Sequence, residues 1–168
     1  IRDDRPFGGR APPAAIYHYS RDRRGEHPVE HLRTWPRGVL QADAYAGYND
    51  LFRANRRPEP LRRALCWAHA RRKIHDVYIS THTATAEEAL KRIGELYAIE
   101  EEIRGLTTEE RLAARQSQSK PLLASLHEWL VEKNETLSKK SRLGEAFAYV
   151  LNQWDALCYY CEIGRASC

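Results

Sequence analysis

The sequence contains no methionine and no long apolar run, and it has only four cysteines. About 20 consecutive apolar residues would be needed for a transmembrane helix, so the sequence predicts no membrane segment. A basic-then-apolar leader is also lacking. The cysteines, at positions 66, 158, 161 and 168, do not form a secreted disulfide pattern, which favours a reducing cytoplasm. Because translation starts at methionine and the chain begins at Ile1, we expect an internal piece of a longer protein or a trimmed chain.

Charge is present in quantity but is unevenly distributed. Residues 1–80 carry 16 Lys and Arg against 9 Asp and Glu, whereas residues 81–168 carry 11 against 14. Segment 53–73 is strongly basic, with eight cations and one acid. A charged run is usually a solvated face, but a run of one sign is also typical of surfaces that contact phosphate. The first half of the chain is therefore the part that we expect to meet a polyanion such as a nucleic acid.

The patterning of the first 80 residues predicts a mixed α/β region. Turn residues and a β-prone stretch predict a β-hairpin over 1–25. A short helix follows over 26–35, with Pro28 in its first turn. Residues 39–43 are predicted as a strand and 45–54 as a short helix. Residues 65–70 predict a strand or a strand-to-helix junction that continues as an exposed basic turn.

From about residue 84 the pattern is helical only. Apolar residues recur at helical spacing, and acidic residues occupy the opposite face of the first of these helices. Thr107 and Glu110 form a capping-box signature, Pro121 marks a further helix start, and Ser141 is a candidate N-cap. We therefore predict an α/β region over 1–80 and an all-helical region over 81–168.

Two stretches carry candidate chemistry. Residues 40–48, LQADAYAGY, predict a strand that delivers Asp43 at its carboxyl end, where ligands often bind in α/β sheets. A carboxylate suits the hard cation Mg²⁺, although an aspartate in this position more often caps the following turn. Residues 66–73, CWAHARRK, end in three cations. The candidate contacts to backbone phosphate are Arg62, Arg63, Arg71, Arg72 and Lys73.

Other groupings of metal-binding residue types are weaker candidates. Cys66 and His69 have the spacing of half a zinc site, and Cys158 and Cys161 could supply the other half. Because about ninety residues separate the halves, far more than in compact zinc modules, zinc is the minor alternative. Asp3 and Asp4 precede Arg-Pro-Phe-Gly-Gly and are interpreted as turn formers rather than as a metal-binding pair.

Taken together, these motifs are similar to the insertion-sequence sixty-six family of bacterial transposases. The resemblance covers nearly the whole chain and follows the family's order. It is carried by RDDRPFGG at 2–9, SRDRRGEHP at 20–28, LQADAYAGY at 40–48, CWAHARRK at 66–73, ALKRIGELYAIE at 89–100, Trp129-Leu130 and LNQWDAL at 151–157.

The resemblance implies a partial RNase H-like core of the DDE type, a mixed sheet with helices, followed by an all-helical insertion subdomain. In that family two aspartates and a glutamate hold two Mg²⁺ ions, which activate water or a 3′-hydroxyl for phosphoryl transfer. Asp43 would be the second of the three carboxylates. The first would precede Ile1 and the glutamate would follow the last residue, so we expect this chain alone to bind Mg²⁺ weakly and to be catalytically inactive.

The predicted function is thus that of a fragment of a transposase that cleaves and transfers DNA strands. Double-stranded DNA at transposon ends is the expected partner, in the bacterial cytoplasm at the nucleoid, and homo-oligomerisation is left open. The alternative is a basic DNA-binding or dimerisation module without chemistry, which the +7 balance of segment 53–73 supports. A third interpretation is an inert product that folds poorly and aggregates through an exposed sheet edge.

Overall fold

The computed structural model describes residue 5 and residues 9–164 and contains a small parallel sheet. Strand β1 (Val39–Ala42) pairs with strand β2 (Arg62–Leu65), with Val39 opposite Arg62 and Ala42 opposite Leu65. A 3₁₀ helix, Ala46–Phe52, lies in the connection between the strands. Because the strands are parallel, both carboxyl ends lie at one edge of the sheet, which places Asp43 and Cys66 at that edge.

Seven α-helices account for most of the described residues, so the molecule is mixed α/β but mainly helical. A π-helical turn, Arg115–Ser119, joins two of the helices, and a 3₁₀ helix, Tyr159–Glu162, follows the last. The α-helices are α1 (Glu26–His31), α2 (Trp67–Thr81), α3 (Ala84–Glu102), α4 (Thr108–Ala114), α5 (Lys120–Thr136), α6 (Arg142–Asn152) and α7 (Trp154–Cys158).

Local sequence signals explain several helix boundaries. Thr107 and Glu110 form the predicted capping box at the start of α4. The Ser141 hydroxyl accepts a hydrogen bond from the Gly144 amide at 3.1 Å and caps α6, also as predicted. Helix α2 ends at His82, which adopts a left-handed conformation with φ of 48° and allows the chain to turn into α3.

One hydrophobic core joins the sheet to the helices. The buried side chains come from β2 and from helices α2, α3, α5, α6 and α7, and they include Leu65, Ile74, Ile93, Leu126 and Phe147. The Trp67 indole, 1% exposed, donates a hydrogen bond to the Leu157 carbonyl at 3.0 Å and so ties α2 to α7. The buried residues of this core come from both sides of residue 80. The predicted domain boundary between residues 80 and 81 stays a prediction.

A buried ionic network fastens the C-terminal residues to the helices. Glu100 of α3 accepts hydrogen bonds from the Arg115 guanidinium at 2.7 and 2.6 Å and from Arg111 at 3.0 Å. Arg115 also donates to the carbonyls of Tyr160 and Ile163. The two arginines are 2% or less exposed, so their charges depend on this carboxylate and these carbonyls for compensation.

The structure corrects three local predictions. A continuous hairpin strand is absent from residues 9–25, where Ala14 forms only an isolated β-bridge, and Ile16, Tyr17 and Tyr19 are each more than three-quarters exposed. Asp3 and Asp4 lie outside the described residues. Helix α1 ends at His31 rather than at residue 35. The predicted basic turn after residue 70 is wrong, since α2 continues to Thr81.

The helix over residues 71–81 follows from its apolar spacing. Ala70, Ile74 and Val77 recur at intervals of three and four residues, and all three are buried against the core. The adjacent cations therefore occupy the exposed side of an amphipathic helix rather than a turn. Whether residues 71–81 form a helix or a turn therefore determines which of these cations lie on the same side of the chain.

Candidate functional site

A cavity of about 360 Å³ lies at the carboxyl end of β1, between this edge of the sheet and α2. Its helical wall comes from one face of α2, because residues 69, 72, 73 and 76 repeat at the helical spacing of three and four. Tyr149 of α6 also borders the cavity. The lining residues are Asp43, Ala44, Tyr45, His69, Arg72, Lys73, Asp76 and Tyr149.

Asp43 is an exposed carboxylate at the position that the sequence predicts for it. It follows β1 directly, and its Oδ1 atom accepts a hydrogen bond from the Tyr45 amide at 3.2 Å. This is the local turn that an aspartate commonly makes with the backbone two residues on. The capping interpretation and the ligand interpretation are therefore compatible, because the hydrogen bond to the turn uses Oδ1 and the side chain is exposed.

Lys73 and Tyr149 place a cation and a phenol beside Asp43. The Lys73 Nζ atom lies 4.6 Å from the centre of the Tyr149 ring, within the range of a cation–π contact. Burial raises the pKa of the Tyr149 phenol, and the acidic groups of Asp43 and Cys66 raise it further. The phenol is therefore held in its protonated form, able to donate a hydrogen bond.

Arg71 and Arg72 face a second depression, of about 490 Å³, between α2 and α3. Arg72 borders this groove as well as the Asp43 cavity, so the two are neighbours on α2. Among the residues that the structure describes, Arg71, Arg72 and Lys73 form no ion pair with a carboxylate. Three of the five predicted phosphate contacts thus lie next to one another on α2, and two of them, Arg72 and Lys73, line the cavity that holds Asp43.

Arg62 and Arg63 are placed elsewhere. As neighbours on β2 they point to opposite faces of the sheet. The Arg62 guanidinium donates to the Tyr159 hydroxyl at 3.1 Å, which raises the pKa of Arg62. Arg63 binds the Asn49 side chain and lies 4.4 Å from the centre of the Phe52 ring. Neither borders the Asp43 cavity.

Two cysteines lie near each other at the end of α7 and in the 3₁₀ helix that follows. Burial raises the pKa of Cys158 to about 12 and that of Cys161 to about 11, so both are neutral thiols at neutral pH. Within the described part of the chain, no three His, Cys, Asp or Glu side chains are grouped so that they could hold a metal ion. The same holds for Asp43. Its carboxylate oxygens suit Mg²⁺, but the described His, Cys, Asp and Glu side chains do not form with it a group of three that could hold the ion.

Sequence reasoning missed three lining residues, His69, Asp76 and Tyr149, as parts of this cavity. His69 and Asp76 carried a detectable signal, because they occupy the same helical face as Arg72 and Lys73 once a helix is assigned. Tyr149 carried none, since it is distant in sequence and reaches the cavity only through the packing of α6 on α2.

Comparison with known proteins identifies the motifs. A family model described as "Transposase IS66 family" matches residues 1–168. The chain is 44% identical over 177 residues to an uncharacterised protein, y4hP, of Sinorhizobium fredii, covering 98% of this chain and 32% of that protein. It is 39% identical over 164 residues to another, y4jD, of the same organism, covering 96% and 32%. The chain therefore spans about a third of the length of these relatives.

No solved structure matches the chain. Across the part of the chain that the structure describes, every helix is too short or too polar to cross a membrane.

Proposed function

The chain belongs to the IS66 family of transposases, and from this premise we propose that it forms part of a DDE centre for DNA strand cleavage and transfer. In this proposal Asp43 is one of the carboxylates that hold the catalytic Mg²⁺. The rest of the centre lies in the two-thirds of the relatives' length that this chain does not span. The family membership is the one that the sequence motifs predict.

One observation carries the proposal. A carboxylate at the end of a parallel strand shares a cavity with two cations of α2, Arg72 and Lys73. A site for phosphoryl transfer needs hard oxygen ligands for the metal and positive groups for the non-bridging phosphate oxygens. This cavity combines the two kinds of group within one small space.

The residues present support specific roles. Asp43 would be a ligand of Mg²⁺, which when bound would activate the attacking oxygen and stabilise the leaving oxygen. Arg72 would bind a phosphate oxygen through its planar guanidinium, and Lys73 would add a point charge. Tyr149, held protonated, would donate a hydrogen bond to the same phosphodiester.

The same proposal extends to the fold. We assign β1 and β2 to an RNase H-like sheet whose other strands belong to the remainder of a full-length transposase, and residues 84–164 to a helical insertion. Two parallel strands alone make a marginal sheet, and parallel sheets are normally larger and covered on both faces. The exposed aromatic residues Tyr17 and Tyr19 offer further surface for such an extension. Under this assignment the chain alone binds DNA but does not cleave it.

The test uses a full-length relative, such as y4hP, in which the matching third is replaced by this chain. Its Mg²⁺-dependent cleavage of transposon-end DNA is compared with that of the Asp43→Asn and Asp50→Asn variants. Asp50 is the matched control, because it is an exposed aspartate whose ion pair within the described residues is with its neighbour Arg53, at 3.0 Å. We expect Asp43→Asn to lose at least about a thousandfold in rate while DNA binding is kept. Cleavage by Asp43→Asn at the unsubstituted rate would disprove the assignment.

A second candidate function is DNA binding without chemistry. It is favoured by the three α2 cations that lack carboxylate partners among the described residues, since such groups are free to contact phosphate. The two functions differ in their dependence on Asp43. In a pure binding module, Asp43→Asn would change neither the affinity for DNA nor any DNA product.

A further inference from the structure

The groove between α2 and α3 has the composition of a site for an anionic ligand. It is lined by Arg71, Arg72 and His75 of α2, with Ala68, Gly94 and Tyr97. No carboxylate is among these lining residues. Two guanidinium groups and an imidazole therefore face a space whose far wall is aromatic and otherwise neutral. That combination suits a phosphate that carries an apolar substituent.

Gly94 keeps this groove open. It lies in the interior of α3, where glycine lowers helix stability relative to alanine. No atom from elsewhere in the structure lies within 4 Å of the position that a Cβ at residue 94 would occupy, so close packing does not require glycine there. A larger side chain at this position would instead project into the groove.

The groove continues the candidate cleavage cavity. Arg72 borders both, and Arg71 and His75 lie within one helical turn of Lys73 and Asp76. A DNA strand that enters the Asp43 cavity and crosses α2 at Arg72 would therefore pass directly into the groove.

We propose that the α2–α3 groove binds one sugar–phosphate unit of the DNA strand that reacts at Asp43. Arg71 and Arg72 hold its phosphate, and the sugar packs against Tyr97 in the space beside Gly94. His75 adds a hydrogen bond from its imidazole. This site rests on the proposed function and adds a binding position outside the cleavage cavity, in the space that a small residue at position 94 leaves open.

The test compares four variants of the present chain, one of them Arg71→Gln, for binding to a fluorescein-labelled DNA duplex. Gly94→Ala adds a methyl group and leaves the groove open, whereas Gly94→Gln fills it without adding charge. Ala124→Gln places the same side chain on the exposed surface of α5, away from the groove. Melting temperatures are measured in parallel, because both substitutions of Gly94 favour the helix.

We expect Gly94→Gln to weaken binding about tenfold, the effect of losing one charge-assisted hydrogen bond, while its melting temperature equals or exceeds that of the unsubstituted chain. Gly94→Ala and Ala124→Gln should bind as the unsubstituted chain does. Arg71→Gln should weaken binding and reduce the salt slope by about 1.

Two results would overturn the site. If Gly94→Gln binds the duplex as tightly as Gly94→Ala, the groove is not on the path of the strand, and the cleavage role of Asp43 is unaffected. If the unsubstituted chain shows no salt-dependent affinity for the duplex, the groove and the DNA-contact part of the proposed function both fail.

Discussion

The arginines of the helical region differ from the cations of α2 in what surrounds them. Arg111 and Arg115 are 2% and 0% exposed, and both donate hydrogen bonds to the Glu100 carboxylate and to backbone carbonyls. Arg71, Arg72 and Lys73 lie on the outer side of α2, without carboxylate partners in the described part of the chain. The first group holds the fold together, whereas the second is available for a ligand. The number of cations in a segment therefore says little about their role until their surroundings are known.

The largest expected effect comes from the buried network. Glu100→Gln keeps the side-chain volume but leaves two buried guanidinium groups without their carboxylate, so we expect the free energy of unfolding to fall by about 3 kcal/mol. Chemical denaturation measures it. Glu101→Gln is the control, because Glu101 pairs with Arg104 on the surface at 2.9 Å and should cost less than about 0.5 kcal/mol. Equal costs for the two variants would show that the network does not stabilise the fold.

An intermediate effect is expected at the α2 cations. If Arg71, Arg72 and Lys73 each contact a phosphate, the affinity for duplex DNA should fall about 40-fold when salt rises from about 50 to 200 mM. Replacing all three by Gln should remove most of this dependence.

The pair Arg62→Gln and Arg63→Gln serves as the matched comparison for the α2 cations. Because these side chains already contact Tyr159, Asn49 and Phe52, replacing them should lower the free energy of unfolding. It should reduce the salt dependence of DNA binding less than replacing the three α2 cations does. If this pair of substitutions reduced the salt dependence of DNA binding more than the triple substitution in α2, the α2 cations would not be the main contacts to phosphate.

The smallest effect at neutral pH concerns the thiols of Cys158, which is partly buried, and Cys161, which is buried. Since burial raises the pKa of Cys158 to about 12 and of Cys161 to about 11 from 9.0, the neutral forms are favoured in the folded state. The resulting stability is present below pH 9 and is lost as pH rises toward 11 to 12. Iodoacetamide at pH 8 should therefore label these two residues much more slowly in the folded chain than in denaturant. Mass spectrometry measures the labelling. Equal rates in the folded and the denatured chain would show that the fold does not protect these two thiols.

Several elements were predictable from the sequence because their signals are local. The strand before Asp43, the capping box at Thr107, the cap at Ser141 and the apolar faces of α3, α5 and α6 depend on residues only a few positions apart. The absence of a continuous strand from residues 9–25, where only an isolated β-bridge forms at Ala14, shows the limit of this reasoning, since a strand requires a partner that local pattern does not guarantee. The family, too, was identifiable, because its motifs are ordered stretches of sequence.

The sequence alone determined the charge distribution, the family and the position of Asp43 at a strand end, because each depends on residues that are adjacent in the chain. Only the tertiary structure decided which cations accompany that aspartate. Arg62 and Arg63 carry the same charge as Arg72 and Lys73, yet the alternation of a strand directs them to separate contacts, whereas the helix places Arg72 and Lys73 beside the Asp43 cavity. The packing of α6 brings Tyr149 to the same cavity, a contact between residues far apart in the chain that no local pattern records.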